Sequence, residues 1–278
     1  MTYRELLKLT AVRLGEGGIA SPEAEARELT EHFTGFGRFT PRITVVDDEK
    51  ENKLNEAVCR RISGIPLQYI LGSWTFMDCP LFVGEGVLIP RDDTEVCVRE
   101  CISRMGSSPR SIIDLCSGSG AIAVALAKKY PGSRVAAVEF SLVAYDYLCR
   151  NIKANNALNV TAYHDDITKC ASRFPDREAD VLISNPPYIR SAEIPGLQKE
   201  VQAEPEMALD GGADGLDFYR VISQHWVRKV RPGGIISLEI GEEQAEDVGA
   251  MLYSNGVRDI RTIKDIAGLD RTVSGVVQ

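Results

Sequence analysis

The stretch Asp114-Leu115-Cys116-Ser117-Gly118-Ser119-Gly120 decides the fold of this 278-residue chain. It follows a short apolar run, Ser111–Leu115, and precedes a run with helical spacing, Ala121–Lys129. Glycines at a turn from strand to helix let the backbone approach a ligand closely. The stretch has neither the full GxGxxG pattern nor a Walker lysine, so alone it indicates a nucleotide site and a purely structural turn equally well.

Strand and helix patterns alternate on the C-terminal side of this turn. The alternation predicts an α/β fold with a doubly wound, mostly parallel sheet of seven strands. The last two strands are expected to form an antiparallel pair at the sheet edge. A helix is predicted over Leu142–Asn155, and the strands are predicted at Ser111–Leu115, Arg134–Glu139, Val160–His164, Val181–Ser184, Gly234–Ile240, Val257–Ile263 and Thr272–Val277.

The first sixty residues have helical patterns instead. Thr2 and Glu5 fit a capping box, and Leu6, Leu9 and Val12 follow at helical spacing. The second helix is expected to begin at Ser21-Pro22-Glu23, with an apolar stripe at Ala26, Leu29 and Phe33, because proline suits the first helical position. A third helix is expected over Asp48–Ile62, with Leu54, Val58 and Ile62 facing inward.

Glycine and proline interrupt the short apolar runs of residues 64–90, which predicts a linker carrying a β-hairpin. The domains predicted from these patterns are a helical domain at 1–63, the linker at 64–90 and the α/β domain at 91–278.

Composition and charge argue against several classes of protein. The net charge of -8 and the pI of about 5.1 give little general attraction to nucleic-acid phosphates. Seven cysteines without a CxxC pair are typical of free thiols in a reducing compartment, and the three scattered histidines indicate no metal site. No signal peptide or apolar run of about 18 residues is present, so we expect a cytoplasmic protein without a membrane span.

Acidic residues follow the next two strands of the predicted sheet. Glu139 ends the second strand, about twenty residues after the glycines, where a carboxylate accepts ribose hydroxyl groups. Asp165 and Asp166 end the third strand, where an acid can accept from an adenine amino group while apolar Ile167 packs on the ring. Together these positions predict an adenosyl ligand without a pyrophosphate, such as S-adenosylmethionine.

The motif Asn185-Pro186-Pro187-Tyr188 follows the fourth strand. An amide-type NH₂ group is a poor nucleophile because its lone pair is delocalised. The Asn185 side-chain oxygen and the Pro186 carbonyl can each accept one N–H, which aims the nitrogen at a methyl donor. Tyr188 offers an aromatic wall. We therefore predict a class I, Rossmann-like S-adenosylmethionine methyltransferase domain, with Asn185, Pro186 and Tyr188 as the catalytic residues and residues 185–188 as the substrate site.

The chain resembles the HemK/PrmC family, which methylates the glutamine of the Gly-Gly-Gln motif in class-1 peptide chain release factors. The resemblance rests on Gly64–Gly72, Leu88–Glu95, Asp114–Ala121, Asn185–Ile189 and Glu204–Gly212, followed by Asp214-Gly215-Leu216. It implies that the N-terminal helices dock the release factor and that Pro90–Glu95 borders the cofactor pocket. The residues expected to bind the cofactor are Arg91, Thr94, Asp114, Cys116, Ser117, Gly118, Ser119, Gly120, Glu139, Asp166, Ile167 and Asn185.

Three positions differ from the usual family pattern. Cys116 and Ser117 replace Gly and Thr of the DLGTGSG turn, and a positive φ at residue 116 would restrict the cysteine. Glu139 stands where the ribose acid is usually Asp, and Ile167 stands where an aromatic residue is common.

Three other functions share these motifs. A glutamine methyltransferase of a ribosomal protein would differ mainly in the docking region. An adenine-N6 or cytosine-N4 nucleic-acid methyltransferase would present a flipped base to the same tetrapeptide, although the acidic charge disfavours it. A non-catalytic scaffold would bind the cofactor or the release factor without turnover.

Overall fold

The computed structural model describes residues 1–37, 39–41, 43–106 and 108–278, and it contains both predicted regions. The chain divides into a helical unit, Met1–Ser73 with Gln198–Ala203, and a sheet unit, Trp74–Leu197 with Glu204–Gln278. The helices are α1 (Tyr3–Glu16), α2 (Pro22–Thr34), α3 (Asp48–Ile62), α4 (Leu67–Leu71), α5 (Asp92–Arg104), α6 (Ala121–Lys129), α7 (Leu142–Ala154), α8 (Lys199–Gln202), α9 (Asp217–Val221) and α10 (Ala245–Ser254). The strands are β1 (Ser73–Phe76), β2 (Cys79–Phe82), β3 (Ser111–Leu115), β4 (Arg134–Glu139), β5 (Val160–His164), β6 (Ala179–Ser184), β7 (Val230–Glu239), β8 (Val257–Lys264) and β9 (Asp270–Val277).

The helical unit begins as the sequence predicts. The capping box of Thr2 and Glu5 is present at α1, and Pro22 occupies the first turn of α2. Ser21, however, makes no side-chain cap hydrogen bond. The helix α3 has the predicted bounds and is capped by Asp47, whose side chain accepts the Lys50 N–H at 2.9 Å. Local capping chemistry therefore fixes most of these helix starts.

The inward faces of α1 and α3 match the sequence pattern only in part, since Leu6, Leu54 and Val58 are buried but other members of the pattern are not. Leu9 and Val12 are 41% and 48% exposed, and Ile62 is 38% exposed. The buried face of α1 is formed by Tyr3, Leu6, Thr10 and Leu14. This face follows the 3.6-residue period and includes Leu6, but it also includes a threonine, so an apolar pattern alone does not select the whole face.

A buried arginine links distant parts of the helical unit. Arg61 on α3 is 7% exposed, and its Nε donates to Glu25 at 2.6 Å. Its Nη1 donates to Glu200 of α8 at 3.1 Å. Because a buried guanidinium must be paired, this cluster ties the hexapeptide Gln198–Ala203 to the N-terminal helices.

The segment 64–90 is not one linker. Leu67 and Ile70 of α4 are buried in the core of the helical unit, whereas Phe76 and Leu81 of the hairpin are buried in the core of the sheet unit. The hairpin β1–β2 is present as predicted, and its two-residue turn, Met77-Asp78, has positive φ at both residues, as a type I′ turn requires. The chain therefore divides near residue 73 instead of at residues 63 and 90, because burial follows these two cores.

The large sheet contains the seven strands that the sequence predicts. Its strand order is β5-β4-β3-β6-β7-β9-β8, with β3 to β7 parallel and β9 antiparallel to both of its neighbours. Nearly every residue of β3 and β6 is buried, as expected for parallel strands covered on both faces. The strand order reverses between β3 and β6, so a ligand crevice is expected at their carboxyl ends.

The register of the sheet brings the two main motifs together. Leu115 pairs with Ser184, and the Ser184 hydroxyl donates to the Leu115 carbonyl at 2.7 Å. The glycine turn and the Asn185 tetrapeptide therefore leave neighbouring strands at the same level. Among the described residues, no helix is long and apolar enough to cross a membrane.

Candidate active site

A cavity of about 300 Å³ lies at the carboxyl edge of the sheet. It is the space expected at the reversal of strand order, and its lining is mainly apolar with two carboxylates. The lining residues are Gly86, Leu88, Cys116, Gly118, Val138, Glu139, Phe140, Ser141, Ala144, Asp166, Ile167, Thr168, Asn185, Pro187, Pro205, Met207, Ala208 and Phe218.

The glycine turn adopts the left-handed conformation that its composition predicts. Gly118 and Gly120 have φ of 55° and 84°, and Cys116 also has a positive φ of 55°. At Gly120 a Cβ would lie 2.5 Å from Leu148 Cδ1, so a larger residue would disrupt the contact with α7. Cys116 therefore occupies a conformation that glycine adopts at lower cost, as its departure from the family pattern suggested.

The Glu139 carboxylate is held in a fixed orientation at the end of β4. Its Oε2 accepts the Gly118 N–H at 2.7 Å, and its Oε1 accepts the Ser141 N–H at 2.7 Å. Burial raises the pKa of Glu139, and the backbone donors oppose that rise. Each oxygen retains a lone pair, so the carboxylate can accept two neighbouring hydroxyl groups of a ligand.

The acids after β5 have different environments. Asp165 pairs with Arg173 outside the cavity, whereas Asp166 lines it. Burial acts to raise the pKa of Asp166, but hydrogen bonds from Lys169 and Thr168 outweigh it and hold that pKa below its usual value. Ile167 is buried in the lining, and its carbonyl accepts Trp226 Nε1 at 2.9 Å, which fixes this segment.

Asn185 lies at the cavity, and its amide has a defined orientation. Its Nδ2 donates to the Thr94 hydroxyl at 3.2 Å. No described residue donates a hydrogen bond to Asn185 Oδ1 or to the Pro186 carbonyl. Two acceptors next to the cavity are therefore available to an incoming N–H group.

The remaining residues of the tetrapeptide differ in whether they line the cavity. Pro187 lines the cavity, whereas Pro186 and Tyr188 do not. The Tyr188 hydroxyl lies 3.5 Å from Glu239 Oε1, and its carbonyl accepts Gln244 Nε2 at 3.0 Å. Burial and the Glu239 carboxylate raise the pKa of Tyr188, so its phenol stays protonated.

Several residues expected to bind the cofactor lie behind the lining. Asp114 is fully buried beneath the turn, and neither carboxyl oxygen has a hydrogen-bond partner among the described residues. Burial raises the pKa of Asp114 to about 8. Arg91 pairs with the buried Glu204, and Thr94 contacts Asn185 instead of the cavity. The residues of the prediction that do not line the cavity are Arg91, Thr94, Asp114, Ser117, Ser119 and Gly120.

Comparison with known proteins identifies the family. Residues 5–72 match the family model of the PrmC N-terminal domain, and residues 95–212 match that of the Methyltransferase small domain. The chain is 39% identical over 280 residues to a release factor glutamine methyltransferase of Geobacter sulfurreducens, covering 99% of this chain and 96% of that protein. This chain belongs to the release factor glutamine methyltransferase family. A Mycobacterium tuberculosis relative of the same name is 32% identical and covers 99% of this chain and 92% of that protein. The predicted family is thus confirmed.

Solved structures confirm the predicted methyltransferase fold of this family member. The catalytic domain of hMettl16 in complex with MAT2A 3'UTR hairpin 1 has a TM-score of 0.59 at 14% identity, covering 85% of this chain and 84% of that chain. A precorrin-6y C5,15-methyltransferase from Geobacter metallireducens has a TM-score of 0.50 at 13% identity, covering 71% and 94%. At such low identities the likeness concerns the fold alone.

Eleven of the eighteen lining residues were not among the predicted site residues. Leu88 lies within a motif quoted for the family resemblance. Phe140 is an aromatic residue directly after Glu139, so the sequence could have indicated that it lines the site. Phe218 lies on the short helix α9, and Met207 lies in a 3₁₀ turn, which have no strong sequence period. Phe218 reaches the cavity through tertiary packing, so only the structure identifies it, whereas Met207 belongs to the motif Glu204–Gly212 that was quoted for the family resemblance.

Proposed function

We propose that this protein transfers the methyl group of S-adenosylmethionine to the side-chain amide nitrogen of the glutamine in the Gly-Gly-Gln motif of class-1 peptide chain release factors. The curated relatives support the substrate, since they are release factor glutamine methyltransferases. The orientation of Asn185 carries the chemical part of the proposal: its Nδ2 is bound to Thr94, and its Oδ1 has no donor within the described part of the chain.

The cavity fits S-adenosylmethionine. Glu139 is proposed to accept the ribose hydroxyl groups, because its carboxylate is already fixed by Gly118 and Ser141. Asp166 is proposed to accept from the adenine amino group, with Ile167 packing on the ring. The bound cofactor supplies an electrophilic methyl group on its sulfonium. The glycine turn lets the backbone approach the ligand, and the Ser117 hydroxyl fixes the start of that turn by donating to the Asp114 backbone carbonyl at 3.0 Å.

Asn185 and Pro186 position the glutamine amide. Each offers one oxygen to one N–H of the substrate amide, so the nitrogen lone pair is directed at the methyl carbon. Both acceptors become more strongly bound as the nitrogen gains positive charge, which stabilises the transition state more than the ground state. Positioning of this kind supplies much of the rate, and the surplus proton leaves the nitrogen after transfer.

Tyr188 is proposed to form the aromatic side of the substrate site. Its backbone is fixed by Gln244, and its phenol lies against Glu239. A planar amide can pack against such a ring. We further propose that the helical unit docks the release factor and that the protein acts in the cytoplasm, a reducing compartment compatible with the seven free cysteines.

The test is transfer of labelled methyl from S-adenosylmethionine to purified release factor. The control is the same release factor with Gln→Ala in its Gly-Gly-Gln motif. We expect label on the unmodified factor and none on the control. Label on a ribosomal protein or on DNA, in parallel reactions, would refute the proposed substrate. Cofactor binding without transfer to any of these would indicate a scaffold.

A further inference from the structure

The side-chain amide of Gln244 connects three segments of backbone around the tetrapeptide. Gln244 is buried at the N-cap position of α10. Its Nε2 donates to the Tyr188 carbonyl at 3.0 Å and to the Gly215 carbonyl at 3.1 Å. Its Oε1 accepts the Gly241 N–H, just after β7, at 2.9 Å. Both hydrogens of one NH₂ group are therefore bound to backbone carbonyls, while the oxygen is bound to the end of the central sheet.

The two carbonyls that Gln244 binds lie at the two ends of one loop, residues 188–215. The ends of this loop also contact each other, since the Gly211 N–H donates to the Ile189 carbonyl at 2.8 Å. At Gly215 a Cβ would lie 2.4 Å from the Tyr188 carbonyl oxygen, so a larger residue would separate them. Gln244 thus supplies the donors for two carbonyls that are packed closely in the protein, where an unpaired carbonyl is costly.

The position of the Tyr188 carbonyl affects the Pro186 carbonyl, which the proposed mechanism uses as an acceptor. Pro187 is the one residue between them, and its ring fixes φ, so a movement at Tyr188 is passed on to Pro186. The loop wall of the cofactor cavity has a separate attachment, because the Glu204 carboxylate accepts the Ile89 N–H at 3.0 Å. Loss of the amide donors should therefore displace the substrate acceptor more than the cofactor wall.

We propose that Gln244 is a positioning residue, which acts through the Tyr188 carbonyl to hold the tetrapeptide in the geometry that methyl transfer requires. The inference rests on the proposed function for its consequence in catalysis. The three hydrogen bonds of Gln244 stand independently of that function.

The first test compares Gln244→Glu with Asn159→Asp. Gln244→Glu keeps the size of the side chain and its acceptor oxygen but removes both N–H donors. A carboxyl group that took up a proton would regain a single donor, which cannot serve two carbonyls. Asn159→Asp is the same change at an amide outside the cavity lining, whose Nδ2 donates to the carbonyls of Ala127, Tyr130 and Ser133.

We expect Gln244→Glu to lower kcat on release factor about tenfold or more, because misplacing a catalytic group by an ångström costs up to about a hundredfold. The affinity for S-adenosylmethionine, measured by calorimetry, should change less than about threefold. Asn159→Asp should keep kcat, although both variants should unfold at lower urea concentration. Wild-type kcat in Gln244→Glu, or an equal loss of kcat in both variants, would overturn the inference.

A milder variant covers the case in which Gln244→Glu does not fold. At Gly241 a Cβ would lie 3.1 Å from Gln244 Oε1, so Gly241→Ala displaces the amide by a few tenths of an ångström and removes no hydrogen-bonding group. Gly249→Ala on α10 is the control, since its Cβ would lie at an ordinary contact distance of 3.7 Å from Ile260. We expect kcat to fall about threefold to tenfold in Gly241→Ala alone, and wild-type kcat there would overturn the inference.

A further readout does not depend on activity. The Ile189 N–H donates to the Leu209 carbonyl at 2.9 Å, so with the Gly211 N–H it reports whether the base of the loop is closed. Deuterium exchange of both amides should be about tenfold faster in Gln244→Glu and unchanged in Asn159→Asp. Unchanged exchange in Gln244→Glu would overturn the inference. Faster exchange there, with no methylation of release factor by the wild-type protein, would refute the proposed function alone.

Discussion

The Glu139 carboxylate bridges the N–H groups of Gly118 and Ser141, with both contacts at 2.7 Å. Glu139→Gln replaces one oxygen with an NH₂ group, which must then face a backbone donor. We expect the affinity for S-adenosylmethionine to fall about tenfold to a hundredfold, because a charge-assisted acceptor contributes about 1.5–3 kcal/mol. Calorimetric titration of the cofactor measures the change.

The matched control for that variant is Asp165→Asn, at the end of the neighbouring strand. Asp165 is paired with Arg173 and does not line the cavity. The affinity of the Asp165→Asn protein for the cofactor should therefore stay within about threefold of wild type. Equal losses in the two variants would show that Glu139 acts through general charge and not by direct contact.

Asn185→Ala should separate binding from turnover. The change removes the unpaired Oδ1 acceptor while leaving Glu139 and Asp166 in the cavity. We expect kcat to fall about a hundredfold or more, as for the loss of one oxyanion-hole group, with cofactor affinity within about threefold of wild type. Asn255→Ala at the exposed end of α10 is the control. Near-normal turnover in Asn185→Ala would contradict the assigned role.

The arrangement of the central strands could be predicted because their residues are buried on both faces and lie between turn residues. The same reasoning found Asn185 and Glu139, since Asn185 directly follows such a strand and Glu139 is the last residue of one. It did not find the helix α5, whose buried face uses Cys97 and Cys101 in addition to Val98. It also could not find the contact of Thr94 with Asn185, because these residues are 91 positions apart and no spacing rule relates them.

Cys116 provides a test of backbone strain in the glycine turn. A left-handed conformation costs a residue with a Cβ about 1–2 kcal/mol. Both Cys116→Gly and Cys116→Ala remove the thiol, but only glycine removes the strain. We expect the glycine variant to have a free energy of unfolding about 1 kcal/mol higher than the alanine variant. Urea denaturation of the two variants measures this difference, and an alanine variant of equal stability would rule out strain.

Asp114 makes the stability of the protein depend on pH. Burial raises its pKa to about 8 in the folded state, above the value of about 3.9 in an unfolded chain, so the folded state binds the proton more tightly. The free energy of unfolding should therefore decrease as pH rises from about 4 to about 8. Asp114→Asn removes this titration.

Relative to wild type, the asparagine variant should gain a few kcal/mol of stability between pH 5 and pH 8.5, since each unit of pKa difference is worth about 1.4 kcal/mol. Glu239 titrates in both proteins, so its contribution cancels in the comparison. Denaturation at several pH values measures the difference, and parallel stability curves would contradict the assignment.

The hexapeptide Gln198–Ala203 has a consequence for exchanging parts between relatives. It belongs to the helical unit, yet it lies in the chain between two long segments of the sheet unit. A chimera that replaces only residues 1–73 would pair a foreign Arg61 equivalent with the native Glu200. Recombination at a single crossover therefore takes Arg61 from one relative and its partner Glu200 from the other. The helical unit is inherited as two pieces of sequence, and a complete exchange of that unit requires both.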